Sequence, residues 1–225
     1  MKKMLGKIIS KILSRNKSQN WTGSVDYWER RYERGGNSGA GSYNRLAEFK
    51  AEIINKFVKE NEIDSVVEWG CGDGNQLSLA EYPHYVGIDV AQQAVNLCQD
   101  KFKDDKNKQF IWSGSPGFFY DKKADLALSL DVIYHLVEDE TFDLYMRQLF
   151  ESSKKFVCIY SCNDNNNKGM RPHVRHRKFT DWIDKNYGDN WEIVNIVKNK
   201  YPYDVKDVKN TSWSDFYFYA NKFRR

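Results

Sequence analysis

The stretch Val66-Val67-Glu68-Trp69-Gly70-Cys71-Gly72-Asp73-Gly74-Asn75 decides how this chain is read. A short apolar run ends in an acidic residue and then meets three glycines at alternate positions. It reads as a strand breaking into a tight loop, and residues 76 to 81, which contain no Gly or Pro, predict a helix directly after it. Strand, glycine loop and helix form the unit in which a βαβ fold binds a nucleotide-like ligand. Glycine serves there because the backbone must turn sharply and admit a ligand closer than a Cβ permits.

The loop departs from the dinucleotide fingerprint G-x-G-x-x-G, with Asn75 standing where the third glycine should fall. Glu68, two residues before the first glycine, would repel a pyrophosphate and attract an ammonium group. Tyr85-Val86-Gly87-Ile88-Asp89 reads as the next strand, and Asp89 follows Glu68 by 21 residues. A carboxylate at that offset accepts both hydrogen bonds of a ribose diol. The pattern favours a cationic ligand with an amino acid end and a nucleoside end.

Glu68-x-Gly70-x-Gly72-x-Gly74, then Gly87-Ile88-Asp89, then Asp125 to Val132 resemble the ordered motifs of class I S-adenosylmethionine-dependent methyltransferases over about residues 64 to 160. The resemblance implies a Rossmann-like α/β fold, a mostly parallel seven-stranded sheet with helices on both faces, and S-adenosyl-L-methionine as cofactor with S-adenosyl-L-homocysteine as product. It places Glu68, Gly70 and Gly72 at the methionine end and Asp89 at the ribose, with Cys71, Val90 and Leu130 completing the cofactor set. The family often has an acidic residue near the adenine after its third strand. Here that stretch is Phe110-Ile111-Trp112-Ser113-Gly114, so Ser113 or a backbone group serves instead.

A chain of 225 residues suits one α/β domain with extensions, and 40% apolar residues supply a substantial core. The net charge of +4 is uneven: residues 1 to 20 carry six Lys or Arg and no acid, leaving 29 basic and 31 acidic residues elsewhere. The body, at −2, is not a general nucleic-acid binder. Cys71, Cys98, Cys158 and Cys162 form no C-x-x-C pair and read as reduced core fillers of a cytoplasmic protein. No run approaches the roughly 18 apolar residues of a membrane span, and Lys7 and Lys11 interrupt any secretory signal.

Residues 1 to 20 form one unit, in which Met4, Leu5, Ile8, Ile9, Ile12 and Leu13 recur at helical spacing opposite a basic face. Three readings stand: a peripheral membrane contact through residues 1 to 18, a helix packed on its own domain or a second subunit, or a mobile tail. Residues 21 to 60 read as a helical cover. Trp21, Tyr27 and Trp28 lead into Gly35-Gly36-Asn37-Ser38-Gly39-Ala40-Gly41-Ser42-Tyr43, a glycine loop suited to hinge motion. Tyr27, Arg31, Tyr32 and Tyr43 are expected on cofactor or substrate, Arg31 and Tyr32 on the cofactor and Tyr43 on the acceptor. A helix over 44–60 follows, and residues 61 to 225 form the catalytic domain. In it, strands alternate with helices through residue 160, followed by a helix over 180–187 and strands over 191–197 and 213–220, both with alternating burial.

Ligands of open α/β sheets lie outside the carboxyl ends of the strands. The fourth strand ends in Ser129-Leu130-Asp131-Val132-Ile133-Tyr134-His135, which delivers Asp131, Tyr134 and His135 to that edge. His135 titrates nearest neutral pH; it is the expected base, with Asp131 orienting it or itself taking the proton, and Tyr134 on the substrate. Met170 to Lys178 holds three Arg, two His and one Lys. Arg171, His173, Arg175 and His176 are therefore expected to grip an anionic acceptor. His173 and His176 lack a third ligand, so no metal is expected.

The Trp-rich segment, the glycine loop at 35–43 and Asp131-Val132-Ile133-Tyr134-His135-Leu136 resemble bacterial methyltransferases of capsule or O-antigen assembly. That resemblance implies a sugar, nucleotide-sugar or phosphoramidate-type acceptor. An N-methyltransferase needing no strong base and a non-catalytic cofactor-binding subunit are the alternatives.

Overall fold

The computed structural model describes residues 21–224. The amphipathic helix expected within residues 1 to 20 lies outside them. Seven strands, β1 (Ser65–Trp69), β2 (His84–Asp89), β3 (Lys108–Trp112), β4 (Ala124–Leu130), β5 (Ser153–Ser161), β6 (Trp191–Val197) and β7 (Asp215–Asn221), form one sheet in the order β3-β2-β1-β4-β5-β7-β6. Strands β1 to β5 run parallel, while β7 is antiparallel to both β5 and β6. The helices are α1 (Ser24–Glu33), α2 (Asn44–Glu60), α3 (Gln92–Lys101), α4 (Asp139–Glu151) and α5 (Phe179–Tyr187). This is the Rossmann-like methyltransferase fold expected from the sequence.

All seven residues of β4 are buried, as parallel strands covered on both faces require. Alternate side chains supply the two halves of the core. Leu126, Leu128 and Cys158 meet Phe49, Ile54 and Val58 of α2 on one face. Ala127, Val157 and Ile159 meet Phe142, Met146, Leu149 of α4 and Phe179 of α5 on the other.

Two sequence expectations are corrected. The helix predicted for 76 to 81 is a single 3-10 turn, Gln76–Leu79. Pro83 biases Tyr82 toward extended backbone and β2 begins at His84, so no room remains for a longer helix. Neither C-terminal strand alternates in burial: Glu192 to Ile196 are all exposed, because β6 is the sheet edge and its register shifts between Ile193 and Asn195, while Phe216 to Ala220 are all buried, because β7 lies inside the sheet between β5 and β6. Among the described residues no helix is long and apolar enough to cross a membrane.

The strand order reverses beside β1, whose neighbours are β2 on one side and β4 on the other. The connections leaving these strands diverge, and a crevice opens at their carboxyl ends.

Candidate active site

The glycine loop is shaped by its own backbone and by what presses on it. The amides of Gly70 and Cys71 both donate to the Ile88 carbonyl, at 2.7 and 3.2 Å, pinning the end of β1 to β2. Gly72 has φ +59°, and a Cβ there would run into Ser38 Oγ and lie 3.0 Å from Tyr32 Oη. A Cβ on Gly70, at φ +83°, would sit 2.5 Å from a Val132 methyl. Left-handed backbone and close approach thus both select glycine here.

The segment over the loop is tied down through Asp73 and Asn75, whose tethering role the sequence does not reveal. Asp73 Oδ2 accepts from the Ser38 amide at 2.9 Å and from the Tyr43 hydroxyl at 2.8 Å, while Asp73 N–H donates to Ser38 Oγ at 3.0 Å. Asn75 Nδ2 donates to the Ser42 carbonyl at 2.7 Å. Burial works to raise the Asp73 carboxyl, but the bonds from Ser38, Asn75 and Tyr43 outweigh it and hold the group below its ordinary value. Tyr43 is therefore committed to Asp73, with burial and that carboxylate pushing its hydroxyl up to about 12. Arg31 Nε donates to the Asn37 carbonyl at 2.6 Å and its guanidinium lies over Trp28, so it props the same segment.

Beneath this cover lies a cavity of about 350 Å³, within the usual range of small-molecule sites. Glu68, Gly70, Cys71, Gly72, Asp89, Val90 and Ser113 line its β1–β2 end; Leu130, Asp131, Val132 and His135 line its β4 end; Trp28, Tyr32 and Lys50 help close it. Glu68 is 3% exposed. Burial raises its carboxyl to about 7, moderated by the Tyr85 hydroxyl, 2.6 Å away, and by Lys50. Burial likewise raises Asp89 to about 6, although its oxygens accept from the amides of Ala91 and Gly72, each at 2.9 Å. Two carboxylates pushed upward by burial are the acceptor set that a ligand with an ammonium group and a diol satisfies. The residues present fit S-adenosylmethionine.

At the β4 end the structure separates two residues expected to act together. Asp131 Oδ2 is paired with Lys50 Nζ at 2.9 Å, and Oδ1 accepts from Ser214 Oγ at 2.9 Å. His135 Nδ1 instead faces the His173 carbonyl at 2.9 Å. Asp131 therefore does not orient His135. A carbonyl only accepts, so Nδ1 carries the proton and Nε2 keeps its lone pair. Burial lowers His135 to about 4, so it is neutral at physiological pH. Asp131 holds φ +61°, sparsely populated for a residue with a Cβ, and Gly41 brings the cover onto it: a Cβ there would lie 2.7 Å from Oδ2. Tyr134 is half-buried beside Asp131 and Tyr160, with desolvation the main cause of its raised hydroxyl.

Lys50 is the functional residue that the sequence reading missed. Its side chain is fully buried, reaching from α2 to Asp131 across the Tyr160 ring. The signal was present: Leu46, Lys50 and Ile54 stand four apart along one helix face.

The expected cationic grip at 171–178 is corrected in two of its members. Arg175 donates to the Val137 carbonyl at 2.9 Å and pairs with Asp139 at 2.9 Å. Arg177, beside it, donates to the Leu136 and Val137 carbonyls and to Asp139. His176 is buried with Nδ1 2.8 Å from Cys162 Sγ, and faces Trp213. Helix α4 begins at Asp139, so these cations neutralise an acid and the open carbonyls before it. Arg171 is exposed and His173 half-buried.

Residues 67–155, which carry β1 to β4, the glycine loop and the β4 end of the cavity, match the family model described as a methyltransferase domain. Among solved structures, the chain is similar to the N-methyltransferase NodS from Bradyrhizobium japonicum WM9 in complex with S-adenosyl-L-homocysteine, with TM-score 0.68 and 14% identity over 89% of this chain and 99% of that one. Magnesium protoporphyrin IX methyltransferase (ChlM) from Synechocystis PCC 6803 with bound S-adenosyl-L-homocysteine gives TM-score 0.62 and 16% identity over 91% and 98%. The methyltransferase domain of bacterial CtHen1 gives 0.57 and 19% over 76% and 97%. No curated protein matches the sequence. Residues 67–155 thus carry a methyltransferase domain, on the Rossmann-like methyltransferase fold that these structures share. The protein is an enzyme, and its cofactor is S-adenosyl-L-methionine.

Proposed function

We propose that the enzyme O-methylates a small acceptor: a sugar, nucleotide-sugar or phosphoramidate-type group of capsular or surface polysaccharide assembly, in the cytoplasm. The observation that carries the hydroxyl-acceptor reading is a single cavity with the Glu68 and Asp89 carboxylates at one end and Asp131 and His135 at the other. The sugar class rests on the motif resemblance and on arginines beside the cover. When bound, S-adenosylmethionine supplies a methyl group on a positively charged sulfur. Glu68 holds its amino group, Asp89 its ribose hydroxyls, and Ser113 borders its adenine. Closure of residues 35–43, tied through Asp73 and Asn75, excludes water and aligns the reactants; alignment of this kind reaches effective molarities of about 10⁵ to 10⁸ M. His135 Nε2 takes the proton of the acceptor hydroxyl, a general-base contribution of about 10² to 10⁴-fold. The Lys50–Asp131 pair fixes the wall against which that hydroxyl rests.

A second reading is favoured by one observation. A histidine held down to about 4 is a weak base, which suits an amine acceptor that arrives neutral.

The test is incubation with methyl-labelled S-adenosylmethionine and fractionated nucleotide-sugars and capsule intermediates, followed by mass analysis. A labelled hydroxyl, with turnover lost in His135→Ala while S-adenosylhomocysteine still binds, is the expected result. Label on nitrogen, or full turnover in His135→Ala, overturns the O-methyl assignment.

A further inference from the structure

A second cavity, of about 470 Å³, lies on the far side of α1, between that helix and the Pro172–His173 segment. Arg30, Arg31 and Arg34 line it, together with Trp21, Tyr27 and His173. Three guanidinium groups face it against one acid, Asp26, which pairs with Arg30 at 2.8 Å. Among the described residues Arg34 makes no ion pair. Arg171, next in the chain to the Pro172–His173 wall, adds to this charge: after burial, Arg171 and then Arg31 are what hold the His173 imidazole below its ordinary value. Asp26 offsets one of these charges; the others repel one another, and an anion seated among them relieves that cost. Guanidinium forks match phosphate oxygens.

The remaining lining is flat. Trp21 and Tyr27 have ring centroids 6.0 Å apart, and Tyr27 stacks on His173 at 4.5 Å and 9°. Aromatic faces beside arginines are what a nucleobase stacks on next to its own phosphates. His173 also links this groove to the donor cavity, since its ring stacks at 5.7 Å on His135, whose side chain lines that cavity. Arg31 ties the groove to the cover through Asn37.

We propose that this groove binds the nucleoside diphosphate part of the methyl acceptor, the diphosphate on Arg31 and Arg34 and the base on the Trp21–Tyr27 face. The assignment rests on the methyl-transfer reading above and narrows its acceptor to a nucleotide-linked one. The groove anchors the acceptor, and its seating on α1 favours the closed cover.

The test is calorimetry on the full chain with uridine diphosphate, adenosine diphosphate, uridine and inorganic pyrophosphate, titrating S-adenosylhomocysteine into the same preparation. A nucleoside diphosphate is expected to bind more tightly than uridine or pyrophosphate. Arg34→Gln should weaken it about ten-fold, the worth of one charge-assisted hydrogen bond, and Tyr27→Leu should weaken it too, both leaving S-adenosylhomocysteine affinity unchanged. Normal S-adenosylhomocysteine binding with no heat from either diphosphate, or diphosphate affinity unmoved by both variants, overturns the proposal. Diphosphate binding without S-adenosylhomocysteine binding supports the groove and strikes the donor assignment instead.

Discussion

Replacing Lys50 by methionine takes a positive charge from a wholly buried position and leaves the Asp131 carboxylate, 12% exposed, facing it at a former 2.9 Å with no cation. Breaking a buried pair from one side costs about 3 to 5 kcal/mol, because the surviving charge is uncompensated. Ser214 still donates to Asp131 Oδ1, which places the expected loss toward the lower figure. For a domain of this size that is on the order of 10 °C in melting temperature. Asp131→Asn should cost a similar amount, since it strands Lys50, and asparagine tolerates the left-handed backbone at this position. The double variant removes both charges, and its loss should fall short of the sum of the singles by about 2 kcal/mol. Urea and thermal melts of the four proteins measure this cycle. Single variants that each cost under about 1 kcal/mol, or a double variant whose loss equals the sum, would refute the view that these residues form one desolvated unit.

Three further outcomes are expected. Gly72→Ala forces an L side chain into φ +59° against Ser38; it should lose about 1 to 2 kcal/mol of stability from the backbone alone, with weaker S-adenosylhomocysteine binding by calorimetry, and Ser38→Gly in the same chain should restore part of the binding. Glu68 and Asp89, raised by burial to about 7 and about 6, keep their protons in the folded protein at pH values where the unfolded chain has lost them. From these groups, ligand-free stability should fall as pH rises from about 4 to 7, by at most about 1.4 kcal/mol per group per pH unit, while affinity for the cationic cofactor rises over the same range; melts and calorimetry at pH 5.5 and 7.5 should therefore move in opposite directions. Arg177→Ala should lower the melting temperature, because it strips the Leu136 carbonyl of its partner and leaves Val137 and Asp139 to Arg175 alone, yet leave the acceptor KM unchanged; a KM rise without a stability loss would place this arginine on the acceptor.

The glycine loop, the two carboxylates and the alternation of strand and helix were legible because each is a local property. Glycine at alternate positions answers a backbone demand within ten residues, and the spacing of Glu68 and Asp89 follows from one strand, one crossover and the next strand. The cover was legible for the same reason, as aromatics leading into a run of glycines. The length of the turn after the loop was misjudged because Pro83 and the start of β2, not helix propensity, set it. The burial of β6 was misjudged because an edge position is a property of the sheet.

What sequence alone determined about this protein is its class: a parallel α/β sheet whose first two turns offer acids to a cationic nucleoside ligand. Only the tertiary structure decided which charges remain for chemistry. Lys50 and Asp131, 81 residues apart, become one buried pair, and Arg175 and Arg177 are consumed by Asp139 and backbone carbonyls. Charge is written in the chain, but whether it meets water, a counter-charge or a substrate depends on what packs against it, and those neighbours come from distant elements.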